Sequence, residues 1–295
     1  MGVNTKAIKS RIKSVGSTKK ITKAMEMIAA AKMRKAVNAA LDTRTYAALA
    51  WNLLVNLSKT QKTQIPLLDV RPVEKILMVI ITSNRGLCGS FNSNIIKKTA
   101  AQIGSTKASV EVIGIGKKGA DFAKKMGYNL IASFTNMTDT PKLDDALPIA
   151  KMVIDAYEKK SYDQVIVAYT DFKSAIFQLA NLKQVLPILE TEDNLLTESG
   201  DKLMLGTKSL NEYLFEPNQL DVLQMILPRL VEVQIYQSML ESAASEHSAR
   251  MVAMRSASDA AEDMIKELNL NFNKARQAGI TQEIAEIAGG AAALE

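Results

Sequence analysis

Two glycine-rich turns, one cysteine, one histidine and a few acid pairs are the residues whose types could do chemistry. Gly114, Gly116 and Gly119 (GIGKKG) form a G-x-G-x-x-G match, the pattern in which glycines make a tight turn and let backbone approach a dinucleotide's pyrophosphate. The match follows the second candidate strand rather than the first. The ribose-binding acid expected about 20 residues on is not supplied, Asp139 falling later in a loop-like stretch. A tight turn using glycine's backbone freedom is the plainer reading. The second turn, Ser83 to Gly89 (SNRGLCG), lacks the Gly-Lys-Ser/Thr ending of a phosphate-binding loop. Cys88 shows no plausible His or Asn partner nearby in sequence, and His247 lies 159 residues away. One Cys and one His make no zinc spacing, and a single Cys excludes an internal disulfide. Asp144 with Asp145, and Glu262 with Asp263, read as solvated helix faces. No catalytic residue, metal ligand or cofactor-binding residue is assigned.

The elements that hold these turns alternate. Lys75 to Thr82 (KILMVIIT) is an apolar run of buried-strand type. After its turn come a helix from Ser93 to Ile103, a strand from Ser109 to Ile115, a helix from Lys117 to Met126 and a strand from Asn129 to Phe134. Pro141 opens another helix through Tyr157, and Gln164 to Tyr169 (QVIVAY) is again a strand. Leu182 to Leu189 adds an edge strand, since Pro187 cannot sit in a central one. Alternation of this kind predicts crossover units and a mostly parallel sheet.

Two long helices flank that domain. Met1 to Leu57 has no Pro and carries apolar residues at Ile8, Ile12, Val15, Ile21, Met25, Ile28, Met33, Val37, Leu41, Leu49 and Leu53. Leu220 to Ala288 reads as one helix of roughly 100 Å at 1.5 Å per residue, longer than a domain of this size is wide, so it must project. From Ile226 to Ala275, steps of three and four meet fifteen positions, twelve of them apolar, which is a coiled-coil seam. His247 falls on it, where a polar residue sets register. Pro228 bends the helix or marks its beginning.

Charge pairs the two helices. Met1 to Lys35 holds ten bases and one acid, whereas Asp221 to Glu295 holds eleven acids and six bases. A basic N-terminus could meet nucleic acid or anionic lipid, but the acidic helix of the same chain is a nearer complement. With Leu57 beside Asp221 and the helices antiparallel, residue 4 falls near residue 274, and the chain beyond Ala275 overhangs. That overhang still carries Ile280, Ile284 and Ile287 on one face, a stripe that another chain must cover. The longest apolar run, Ile76 to Ile81, is too short to span a bilayer, so any membrane role is peripheral.

Thr18 to Ala36 (TKKITKAMEMIAAAKMRKA), Ser83 to Asn92 (SNRGLCGSFN) and Ser245 to Leu294, with ARMVAMRSASDAA, KELNLNFNKARQA and ITQEIAEIAGGAAA, resemble the gamma subunits of F-type rotary ATP synthases. The resemblance covers nearly the whole chain and is weakest from about Gln102 to Thr207. It implies an α/β fold class: a long antiparallel coiled coil of N- and C-terminal helices with an inserted Rossmann-like domain of mostly parallel strands. The corresponding division is residues 1–59 (first coiled-coil helix), 73–190 (foot), 191–217 (connector) and 218–295 (last helix and tip). It further implies a rotor shaft inside the alpha-beta hexamer, whose foot meets the epsilon subunit and the ring of c subunits, transmitting torque between proton flow and ATP synthesis or hydrolysis. Such a subunit is not catalytic by itself, needs no cofactor, and reaches the membrane only through the c-ring. By matching motifs, Met25, Arg276 and Gln277 would meet the hexamer's inner loops. Ile280, Ile284 and Ile287, with Thr281 and Glu283 of the same motif, would face the sleeve at its top, and Arg85 and Cys88 would lie in the foot close to the coiled coil.

Two departures stand out. Thr18, Lys19, Lys20 and Ile21 replace the usual Thr-Gln-Lys-Ile, adding charge. The Cys-bearing insertion of the chloroplast form is absent, so thiol regulation is not expected. No presequence is read, so the expected location is the cytoplasmic face of a bacterial inner membrane. The alternative is a stand-alone nucleotide-binding α/β protein with a helical arm; nucleic-acid binding by the basic helix is the weakest reading and no nucleic-acid partner is assigned.

Overall fold

The computed structural model describes residues 5–58, 65–135, 140–188 and 219–292. The expected connector at 191–217, together with Asp139 and both chain ends, lies outside the described residues. Along the chain run α1 (Thr5–Ser58), a short 3-10 turn (Pro66–Leu68), β1 (Lys75–Ile81), α2 (Phe91–Ser105), β2 (Ser109–Ile115), α3 (Lys117–Lys125), β3 (Asn129–Phe134), α4 (Leu143–Glu158), β4 (Gln164–Phe172), β5 (Gln178–Leu186) and α5 (Gln219–Ala292). The chain divides into two compact units, residues 30–249 and residues 1–29 with 250–295.

The larger unit is built on a five-stranded sheet in the order β3-β2-β1-β4-β5. β1, β2, β3 and β4 are parallel, and β5 runs antiparallel along β4 at the edge. β1 is buried on both faces, which is why its sequence is a continuous apolar run rather than an alternation. β3, at the opposite edge, alternates between exposed and half-buried residues. One face of the sheet, carrying Leu77, Val79, Val165 and Val167, packs under α4 and under Leu223, Leu227, Leu230, Val231, Ile235 and Met239 of α5. The other face, with Ile76, Met78, Ile80, Val112 and Ile166, is covered by Ile95 of α2 and Ala123 of α3.

Two expectations need correction. β5 starts at Gln178, four residues before the expected Leu182, and ends before Pro187. Its opening residues QLAN read weakly as a strand because an edge strand keeps one side polar. The early part of α5 is also more than one arm of a paired seam. Residues from Leu227 to Ser248 are buried nearly all round, because the sheet covers a second face of the helix; a helix apolar on every side is a core helix. Pro228 lies inside α5 and does not end it. Closer to the middle of this unit, Ala36 of α1 meets Ala243 and Ala244 of α5, small residues that let two helix backbones come close.

The smaller unit is an antiparallel helix pair. Every seam position foreseen on α5 from Met251 to Ala275 is buried or half-buried (Met251, Met254, Ser258, Ala261, Ile265, Leu268, Phe272, Ala275), while most residues between them are exposed. The Thr22 and Ser258 hydroxyls share a hydrogen bond of 2.7 Å inside the seam. That register sets Thr5 opposite Ala275, within about half a turn of the expectation. On α1 the facing stripe is Ile8, Ile12, Val15, Thr22 and Ala29. Ile21 and Ile28, counted with the apolar pattern from sequence, are 61% and 55% exposed instead, because the seam is held by small and polar residues that apolar counting passes over.

Candidate functional site

The glycine-rich turns after β1 and β2 meet each other. Gly116 caps α3 with φ +88, and a Cβ there would sit 2.1 Å from the Thr82 carbonyl oxygen. The first amides of α3, which in a dinucleotide site would face phosphate, are already taken. The Lys117 N–H donates to Asn84 Oδ1 at 3.0 Å, the Lys118 N–H to the Ser83 carbonyl at 3.2 Å, and the Gly119 N–H to Thr82 Oγ1 at 2.7 Å. Thr82 in turn donates its hydroxyl to the Ile115 carbonyl. The end of β1 therefore occupies the position of an anion, and GIGKKG serves chain packing.

Cys88 is buried at 2% exposure inside the first turn, so its thiol lines the loop and not the surface. An Asn neighbour passed over in the sequence is present: Asn92, the second residue of α2, donates Nδ2 to the Cys88 sulfur at 3.2 Å and to Ser83 Oγ at 2.7 Å. Its Oδ1 accepts from the Ser83 N–H. The arrangement staples the loop, and His247 is not among the partners of Cys88 given by these hydrogen bonds. Arg85 is exposed. The same loop touches α5, since a Cβ on Gly89 would meet the Ala249 carbonyl at 4.0 Å.

Near the carboxyl end of β4, on the side of the sheet where doubly wound folds usually bind ligands, α5 contacts the strand. The Thr170 N–H donates to Ser242 Oγ at 3.0 Å, and the Thr170 carbonyl accepts from the Ser245 hydroxyl at 3.1 Å. Ser248 donates to the Ala175 carbonyl. These serines were missed in the sequence; their signal is three hydroxyls at steps of three along one helix. Nearby, Asp171 pairs with Lys173 at 2.9 Å. Burial pushes the Lys183 amine below its ordinary value, and the charges of Glu241 and Asp171 oppose that shift.

The candidate partner surface is at the far end of α5. All residues from Arg276 to Gly290 are exposed, Ile280, Ile284 and Ile287 by 49%, 61% and 74%. Arg276, Gln277, Thr281 and Glu283 stand on the same uncovered stretch, while Met25 is half-buried on α1. Lys19 of α1 and Glu262 of α5 form an ion pair at 2.9 Å; its hydrogen bond to Lys19 holds the Glu262 carboxyl below the ordinary range. Both groups are well exposed, so salt screens the pair. Lys6, Lys9, Arg11, Lys13 and Lys20 are exposed along α1. Among the described residues no group of His, Cys, Asp and Glu could hold a metal ion, and no helix is long and apolar enough to cross a membrane.

Comparison with known proteins gives one answer. The family model described as ATP synthase matches residues 4–294. The ATP synthase gamma chain of Dehalococcoides mccartyi strain BAV1 is 44% identical over 99% of both chains. That of Roseiflexus castenholzii is 42% identical, over 99% of this chain and 98% of the relative, and that of Legionella pneumophila strain Corby is 38% identical over 98% and 99%. Among solved structures, a chain of the central stalk and c-ring of Tetrahymena thermophila mitochondrial ATP synthase aligns with TM-score 0.59 at 27% identity, covering 81% of this chain and 99% of that one. A chain of the Euglena gracilis mitochondrial ATP synthase aligns with TM-score 0.66 at 22% identity, over 98% of this chain and 94% of the other, a likeness of fold. With a family match spanning almost the whole chain and relatives alike from end to end, the chain belongs to the ATP synthase gamma chain family.

Proposed function

We infer that this chain is the central-stalk rotor of an F-type ATP synthase, transmitting torque between a c-ring and a catalytic alpha-beta hexamer and so coupling proton flow to ATP synthesis or hydrolysis. The observation that carries the reading is the exposed end of α5: fifteen consecutive exposed residues, with an isoleucine stripe that nothing among the described residues covers. An apolar stripe on an exposed helix asks for a sleeve, and a hexamer with a central hole supplies one.

In this reading the chain does no chemistry itself. Support comes from the glycine-rich turns, whose amides are spent on Thr82, Ser83 and Asn84. Met25, Arg276 and Gln277 contact the inner loops of the alpha and beta subunits, and Ile280, Thr281, Glu283, Ile284 and Ile287 run in the sleeve. Residues 73–190 are the foot that meets the epsilon subunit and the c-ring, between the coiled-coil helices 1–59 and 218–295, with 191–217 as connector. Arg85 and Cys88 lie in that foot, where the buried Cys88 shapes the loop that presents Arg85. Membrane association is peripheral, through the c-ring, on the cytoplasmic side of a bacterial inner membrane.

Truncation after Ala278 tests the reading. The truncated chain is expected to assemble into a complex that hydrolyses ATP with impaired proton pumping, measured by acridine-dye quenching in inverted vesicles. Pumping per ATP equal to the full-length complex would overturn it.

A further inference from the structure

Past its middle, β4 leaves β1 and continues alone with β5. The parallel pairing of β1 with β4 ends at Ile80 and Ala168, whereas the antiparallel pairing of β4 with β5 runs on to Phe172 and Gln178. A strand end with no neighbour on one side has backbone groups to satisfy. Here α5 satisfies them. Both polar groups of the Thr170 peptide backbone end on α5 hydroxyls, the N–H on Ser242 and the carbonyl on Ser245. Ser248 then donates to the Ala175 carbonyl in the following turn and accepts from Gln178 Nε2 at 3.3 Å. Ser242, Ser245 and Ser248 are 2%, 0% and 0% exposed. A polar chain leaves from the same place: Gln237 Nε2 donates to Glu241 Oε1 at 2.8 Å and to the Ala40 carbonyl of α1 at 3.4 Å, and Glu241 faces Lys183 of β5.

We propose that Ser242, Ser245 and Ser248 are positioning residues that lock α5 to the end of β4 against rotation about the helix axis, so that torque passes between sheet and helix at Thr170 and Ala175. The inference rests on the rotor reading above. Its physical ground is the difference between two kinds of contact. The apolar packing of Leu227, Leu230, Val231 and Ile235 against the sheet is non-directional, and a small turn of the helix gives up little of it. A hydroxyl lies a few ångströms off the helix axis, so a rotation of about 20° moves it by about 1 Å, enough to break its hydrogen bond. The rotation would also leave a buried N–H and a buried carbonyl without partners. The three serines are the contacts that feel rotation first.

The test uses the assembled complex with its hexamer immobilised and a rotation probe on the exposed Lys107, changed to Cys. The angular spread of the paused probe is read. The combined variant Ser242→Ala, Ser245→Ala and Ser248→Ala is expected to widen the angular variance about twofold, since three directional contacts are gone, while ATP hydrolysis by the hexamer stays at its original rate. Ser238→Ala is the control. Its hydroxyl donates to the Gln234 carbonyl of its own helix at 2.8 Å, and its variance is expected to match the unmodified chain. Equal variance for the combined variant and the unmodified chain would overturn the proposal, as would equal widening by Ser238→Ala. Should the combined variant not assemble, Ser242→Ala and Ser248→Ala are read singly, and no widening in either overturns it. A probe on the unmodified chain that never rotates during hydrolysis is a separate result, and rejects the rotor reading itself.

Discussion

Gly116 has no room for a side chain: at φ +88 its Cβ would overlap the Thr82 carbonyl at 2.1 Å. Backbone on both sides holds the clash in place, so relief requires β1 and α3 to part. Gly116→Ala is expected to cost about 3 kcal/mol or more, read as a shift in the urea midpoint. Gly104→Ala, with nothing within 4 Å of its Cβ, is expected to raise the midpoint slightly. Asp163 gives a second residue-level expectation. Its carboxylate accepts the N–H groups of Lys75 and Glu74 at 2.9 and 3.0 Å, and these bonds hold its carboxyl below the ordinary range. A depressed folded value means a contribution present at neutral pH and lost as pH falls from about 4 through the folded value. Asp163→Asn is therefore expected to lower the unfolding temperature at pH 7 and to flatten its fall below about pH 4; an unchanged acid slope would count against it. The glycines and their plainer reading as a tight turn were visible in the sequence, but the groups that take up the amides were not. A G-x-G-x-x-G string is written the same way for phosphate and for a crossing strand, and only the Thr82, Ser83 and Asn84 acceptors tell the two apart.

The elements were more legible than the residues. β2 and β3 fall on the residues expected, because each is a short run rich in β-branched and apolar residues bounded by turn residues. The later seam of α5 was legible as well, its period of three and four surviving from Met251 to Ala275. The facing seam of α1 was legible only in part. Ile8, Ile12 and Val15 lie on the facing stripe, but further along Thr22 and Ala29 hold it at 9% and 2% exposure while Ile21 and Ile28 stand outside, so there the apolar residues mark the wrong stripe of the helix. Close packing of two helices selects small residues, and hydropathy does not register size. The hydroxyl pair of Thr22 and Ser258 at 2.7 Å is expected to fix the register of this helix pair, as single polar seam positions do in coiled coils. A double-mutant cycle of Thr22→Val and Ser258→Ala, measured by chemical denaturation, is expected to give a coupling of about 1 kcal/mol, with the double variant more stable than the two single losses added together. Additive losses would show that the pair contributes no more than its separate burial.

For the molecule as a whole, the ATP synthase family match from residue 4 to residue 294 gives the exposed end of α5 its meaning. Ile280, Ile284 and Ile287 would be a liability on a solitary protein, and in the function proposed above they are the surface that a hexamer would cover. The chain carries a net charge of +6, and α1 exposes bases at Lys6, Lys9, Arg11, Lys13 and Lys20. Near the carboxyl end of β4 the Thr170 backbone is bound by Ser242 and Ser245 of the chain's own helix, which fits a sheet that serves as a mount for a shaft. The most direct test of that account is to watch the mount turn. With the alpha-beta hexamer fixed to a surface and a bead on the α/β fold at Lys107→Cys, adding ATP is expected to produce stepwise rotation in one direction that stops when ATP is exhausted. A bead that stays still while the same complexes hydrolyse ATP would contradict it.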